Sequence, residues 1–149
     1  MATKKRKVAH AKLPLQRQFA FPDQGRHFNL REVFDKLNTL YFRKRLKGYR
    51  IEWGRKRHER PAIEIVFATI QEEDRLIRIH PLLDRAFIPR WFLEYVMYHE
   101  MCHAVVRDRY SPAGKRIIHH DEFYEKERKF RWFKRAKRWE HENLGRFLR

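Results

Sequence analysis

The sequence predicts an α+β domain: an N-terminal helix, a small sheet of about three strands, antiparallel or mixed, a second helix that carries an HExxH sequence and a basic C-terminal helical region. Three observations predict it. Apolar residues recur at helical spacing near residues 30–41 and again near 91–106. The stretch between them, residues 49–80, is rich in β-branched and aromatic residues at period two. Beyond residue 121, Phe and Trp return among many Lys and Arg. A chain of 149 residues with 42% apolar content suits a single core, and twelve Phe and four Trp supply its bulk.

Residues 1–28 read as a flexible basic arm. Lys4-Lys5-Arg6-Lys7 is a compact cluster, while Pro14, Pro22 and Gly25 interrupt any helix. The domain proper is 29–149. Its first helix should begin at Asn29, with Glu32 at the capping-box position three residues later. Leu30, Val33, Phe34, Leu37, Leu40 and Tyr41 form its apolar face, and Gly48 is the expected stop. Tyr49–Trp53 reads as a strand, Gly54–Arg60 as a polar turn, and Ala62–Ile70 as a strand with Ile63, Ile65 and Phe67 on one face. After an acidic turn at Gln71–Asp74, Leu76–His80 alternates again, with Leu76 opposite Ile77 and Ile79, and Pro81 closes it or marks a sheet edge.

The second helix starts near Pro89 and runs through Trp91, Phe92, Tyr95, Val96, His99 and His103 to about Val106. Ser111–Gly114 is a loop. The last helical region begins near Asp121, a suitable cap, with Phe123, Phe130, Phe133 and Trp139 as candidate core contacts.

Composition excludes several function classes. The single cysteine, Cys102, leaves no disulfide framework and no Cys-rich zinc ribbon. No apolar run reaches the length of a membrane span, and the basic N-terminus lacks the apolar stretch of a secretory signal. The expected setting is cytoplasmic, nucleoid-associated in a prokaryote. In a eukaryote it would be nuclear, through Lys4-Lys5-Arg6-Lys7. A monomer is expected. The net charge is +17 and uneven: residues 1–60 carry 18 basic and 5 acidic side chains, residues 61–98 carry 4 and 6, and residues 99–149 carry 14 and 8. Two basic flanks around a near-neutral middle point to a polyanionic partner, DNA first.

His99-Glu100-Met101-Cys102-His103 is an HExxH sequence on the second helix. Residues four apart lie one turn apart on one face, so both imidazoles can reach one tetrahedral Zn²⁺. Glu100 is offset around the helix, which suits a proton-accepting role beside an attacking water rather than a ligand role. With nine His and thirteen Glu in the chain, the motif is expected by chance only about 0.05 times. A catalytic zinc needs a third protein ligand and an open position. His119-His120-Asp121-Glu122 lies far enough past His103 for the chain to turn and return, so either histidine is a candidate and the acids are weaker ones. His10, His27, His58, His80 and His141 read as ordinary polar residues.

These segments resemble SprT-like metallopeptidase domains. The resemblance rests on Leu37-Asn38-x-x-Tyr41-Phe42, Leu46, Ile51-x-Trp53, Ile77-x-Ile79 and Tyr98-His99-Glu100-Met101-Cys102-His103-Ala104, over roughly residues 30–130. In that family a His-Gly-x-x-aromatic segment follows HExxH and supplies the third zinc ligand. The matching segment here is His119-His120-Asp121-Glu122-Phe123, which implies His119 as ligand, with His120 standing where the family usually has Gly and remaining the alternative. The resemblance implies a zinc metalloendopeptidase acting on protein or peptide substrates in a DNA-associated context such as DNA–protein crosslink proteolysis. Candidate phosphate contacts are Lys126, Arg128, Lys129, Arg131, Lys134, Arg135, Lys137 and Arg138, with Trp132 as a candidate base-stacking residue. Trp139 is assigned to the core. The competing expectation is a non-catalytic, zinc-stabilised nucleic-acid-binding module. An extended substrate would pair with an exposed sheet edge, for which Leu76–His80 is the expected strand.

Overall fold

The computed structural model of the chain describes residues 22–55 and 66–147. The architecture is α+β. Helix α1 (Leu30–Phe42) leads to strand β1 (Arg50–Trp53), then β2 (Ala68–Gln71) and β3 (Leu76–Ile79). A short 3₁₀ turn (Pro81–Leu83) precedes helix α2 (Arg90–Val105). A two-strand hairpin follows, β4 (Arg109–Tyr110) and β5 (Arg116–Ile117), and then helices α3 (Asp121–Arg128) and α4 (Phe133–Phe147).

Helix α1 begins as expected. Asn29 accepts a bond from the Glu32 N–H, and Leu30, Val33, Phe34 and Leu37 bury one face. It ends earlier than Gly48. The Asn38 carbonyl accepts from the Lys44 N–H at 2.9 Å, with Arg43 and Lys44 both at left-handed φ (51° and 58°). The buried Asn38 side chain then brackets Leu46, donating to its carbonyl (2.9 Å) and accepting from its N–H (3.2 Å). One amide therefore satisfies two backbone groups that would otherwise be buried unpaired, and the helix ends at Phe42, six residues before the glycine. Leu40, assigned to the apolar face, is 63% exposed.

The three-stranded sheet is mixed, with order β1–β3–β2. β3 lies parallel to β1 (Ile51 opposite Ile77) and antiparallel to β2 (Ile70 opposite Ile77). This corrects one expectation: Leu76–Ile79 is the central strand, both its edges are paired, and it offers nothing to a further strand. β2 is the edge. The strand expected over Ala62–Ile70 is regular only from Ala68 to Gln71, and Ile63, Ile65 and most of the 54–60 turn lie outside the described residues. Leu76, placed opposite Ile77 and Ile79, is buried as they are. His80 leaves the strand and caps the 3₁₀ turn, its Nδ1 accepting from the Leu82 N–H at 3.0 Å.

Ile51, Ile77 and Ile79 pack with Phe34, Leu37, Phe92 and Leu93 into one core. Helix α2 runs through the middle of it and is buried continuously from Phe92 to Tyr98. Its carboxylate Glu94 is buried and held by Lys36 of α1 at 2.7 Å. The single C-terminal helical region divides in two, α3 and α4. Trp139 packs against Phe92 (centroids 4.4 Å apart), in keeping with its assignment to the core.

Residues 22–28, placed in the arm by sequence, are fastened to the body. The Asp84 carboxylate accepts from the N–H groups of Arg26 (2.6 Å), His27 (2.8 Å) and Phe28 (3.2 Å). Such a ring of amides is an anion cradle. Gly25 is required there, because a Cβ at that position would lie 2.6 Å from the carboxylate oxygen. The Lys4-Lys5-Arg6-Lys7 cluster lies outside the described residues.

Replacing Asn38 with Ala should lower unfolding free energy by about 2–3 kcal/mol, since both Leu46 groups are left buried without partners. Chemical denaturation monitored by tryptophan fluorescence measures it, and a change below about 0.5 kcal/mol would contradict the bracketing role.

Candidate metal centre

One turn of α2 presents His99 and His103 on the same face. The chain then leaves the helix, forms the β4–β5 hairpin and returns with His119 immediately before α3. The hairpin is closed by Lys115 N–H donating to Ser111 Oγ (3.0 Å) and by Arg116 Nε on the Asp108 carboxylate at 2.5 Å. These contacts set where His119 arrives. His103 Nε2 lies 3.3 Å from His99 Nε2 and 3.1 Å from His119 Nε2, and the three ligand atoms fall within 4.8 Å of one another. A tetrahedral zinc with Zn–N of about 2.0–2.1 Å holds its nitrogens about 3.3 Å apart, so the spacing fits this donor set.

The surroundings of the rings also suit the donor role. His99 Nδ1 lies 2.9 Å from the Glu127 carboxylate, which makes Nδ1 the proton-bearing nitrogen and leaves the Nε2 lone pair facing the other two rings. Burial, together with the His99 and His119 rings, holds His103 down at about 4. Burial, then His99, lowers His119 as well. Neutral imidazoles are what a cation requires. Phe123 of α3 stacks on His103 (centroids 4.3 Å, 24°) and meets His99 edge-on at 5.0 Å, fixing the rings against an apolar floor.

His120, the alternative ligand, is not in this group. Its ring is buried and its Nε2 sits 2.8 Å from the Arg107 carbonyl. The backbone at His120 is extended (φ −126°, ψ −179°), which any residue adopts, so the position does not require glycine. His120 is also the N-cap residue of α3, and Asp121, read as the cap, is the first residue of the helix. There its charge, with that of Glu122, favours the positive end of the helix.

Glu100 is buried beside the histidines. Burial pushes its carboxyl up to about 7, with His99 pulling the other way. A divalent cation among the rings would draw it down further, toward the carboxylate a proton acceptor needs. A cleft of about 790 Å³ opens over the group. Its floor is the Tyr95, Val96, His99, Glu100 and His103 face of α2, and one wall is residues 66–74, including the whole of β2. Asp108, Arg116, Ile118 and His119, with Lys137 and Glu140 of α4, complete its lining.

Two contributing residues escape sequence reasoning. Glu127 is 4% exposed and accepts from Tyr95 Oη (3.0 Å) as well as binding His99. Burial raises its pKa, but the His99 and Tyr95 hydrogen bonds outweigh this and bring it below the ordinary carboxylate value. Tyr98 adds a second tie, donating to the Lys126 carbonyl at 2.5 Å. Nothing in the sequence pattern marks Glu127, because its role depends on a contact between two helices.

The candidate nucleic-acid residues lie apart from the histidines, with one exception. Arg128, Lys129, Arg131, Lys134, Arg135 and Arg138 are exposed. Lys126 is half-buried, its Nζ over the Phe42 ring at 5.1 Å. Trp132 is 36% exposed, with the guanidinium groups of Arg131 (4.7 Å) and Arg135 (5.6 Å) over its ring. Lys137 is the exception, since it lines the cleft. No helix among the described residues is long and apolar enough to cross a membrane.

Glu127→Ala should cost about 2–3 kcal/mol at pH 7, because Tyr95 and His99 lose a charged acceptor inside the protein. The depressed folded-state pKa means this stabilisation is present above the ordinary carboxylate range and is lost as pH falls through the folded value. Denaturation at pH 7 and in mild acid should show the gap between wild type and Glu127→Ala shrinking in acid, and a constant gap would contradict the assignment.

Comparison with known proteins gives one match. Residues 30–138 match the SprT-like family, a span that includes α1, the mixed sheet, α2 with its histidine pair, the hairpin and α3. No curated protein and no solved structure matches significantly. With nearly three quarters of its length inside the match, the chain belongs to the SprT-like family.

Proposed function

We propose that this protein is a zinc-dependent endopeptidase working in contact with DNA, as in proteolysis of proteins crosslinked to it. The observation that carries the reading is the convergence of three imidazole nitrogens beside a buried carboxylate, at the floor of an open cleft. His99, His103 and His119 are the ligand set. Zinc bound there supplies Lewis acidity toward the substrate carbonyl and the attacking water. Glu100 takes the proton from that water and returns it to the leaving amine. Glu127 keeps His99 in one tautomer and orientation.

An extended peptide fits the cleft along β2. That strand is the sheet edge that lines the cleft, within the wall formed by residues 66–74. Main-chain pairing with β2 would hold the substrate above Glu100 regardless of side-chain sequence. The exposed Arg and Lys side chains of α3 and α4, with Trp132, are the proposed DNA contacts, and the overall charge of +17 supports them.

Glu100→Gln should lower peptide hydrolysis by about 10²–10⁴-fold while zinc still binds at one ion per chain. Unchanged hydrolysis by that variant would overturn the peptidase reading. Stoichiometric zinc with no hydrolysis of unfolded protein by the wild type, with or without single-stranded DNA, would favour the zinc-stabilised binding module instead. For the DNA contacts, Arg131→Ala and Arg135→Ala should each reduce the slope of log affinity against log salt by about one. Fluorescence anisotropy with single-stranded DNA reads this directly, and unaltered slopes would remove those residues from the interface.

A further inference from the structure

Peptide hydrolysis places negative charge on the carbonyl oxygen, and a pre-placed cationic or N–H donor aimed at that oxygen lowers the barrier. Two cationic side chains line the cleft, Arg116 and Lys137. Arg116 is committed to the hairpin, its Nε on Asp108 at 2.5 Å. The Tyr95 hydroxyl, also in the cleft, is committed to Glu127. Lys137 differs from both. Its side chain is 53% exposed, and its ion pair to Glu140, one turn along α4, is long at 3.7 Å. Lys137 therefore lines the same cleft as the histidine group and is only weakly engaged there.

Resting on the peptidase reading, we propose that Lys137 is a further catalytic residue: its ammonium donates a hydrogen bond to the scissile carbonyl oxygen as charge develops there. In the addition step the water oxygen bonds to the carbonyl carbon, the carbon–oxygen π pair moves onto the carbonyl oxygen, and Glu100 accepts the water proton. On collapse that pair re-forms the double bond, the carbon–nitrogen bond breaks, and the proton passes from Glu100 to the amine. Lys137 remains protonated throughout, so the step needs no further reactant. The flexible side chain can stay with Glu140 in the absence of substrate and swing to the oxygen when a peptide occupies the β2 wall.

The test uses the full-length, zinc-loaded protein and a short peptide substrate with no nucleic acid present, which separates this role from phosphate binding. Lys137→Met should lower kcat by about 10²–10³-fold with KM within about threefold of wild type and zinc still stoichiometric, and Lys137→Arg should restore part of the loss. A kcat for Lys137→Met within about threefold of wild type would overturn the proposal, as would a loss confined to KM. A wild-type protein that fails to cleave the peptide would overturn the peptidase reading itself, and that failure is distinguished by the wild-type rate alone.

Discussion

The hydrogen bond between the Glu127 carboxylate and Nδ1 of His99 organises the rest of the site. It joins residues 28 positions apart, on two helices that meet side by side in the core. A carboxylate buried this deeply persists only because both oxygens are used, one by His99 and the other by Tyr95. The same contact orients the His99 ring and turns its lone pair toward His103 and His119. Tyr98, bonded to the Lys126 carbonyl, holds the end of α3 in register, and Phe123 packs beneath the three rings. The histidine group is thus assembled by packing, with its rings already converged.

Charge is sorted spatially. The chain as a whole is strongly basic, yet the cleft is bordered by Glu72, Glu73, Asp74, Asp108 and Glu140. Most of the Arg and Lys of α3 and α4 face solvent elsewhere. The field of the outer surface is therefore positive, while acidic side chains offset it around the cleft. Lys137 is the α4 cation on the cleft side of that division.

What was legible in the sequence follows from the range of the interactions involved. The pairing of His99 with His103 depends only on helical periodicity, and the Asn29 cap only on a three-residue spacing. Both survive into the structure. Longer-range features do not announce themselves. The order β1–β3–β2 is set by which strands pair across the sheet, so alternation within Leu76–Ile79 could not reveal that both its edges are occupied. The hairpin strands are two residues each and exposed, with no apolar alternation to betray them. Spacing alone left His119 and His120 open. What separates them is the Arg107 carbonyl, which engages one ring, and the hairpin, which delivers the other to His103. Asn38 ends α1 through a side-chain bracket that resembles no glycine stop.

The central claim is that His99, His103 and His119 together hold one zinc with a position left open. Zinc K-edge X-ray absorption on the zinc-loaded protein tests it most directly. The expected first shell is four nitrogen or oxygen neighbours at about 2.0–2.1 Å, with outer-shell scattering from three imidazoles and loss of one ring in His119→Ala. A sulfur shell at about 2.3 Å, or only two imidazoles in the wild type, would contradict it.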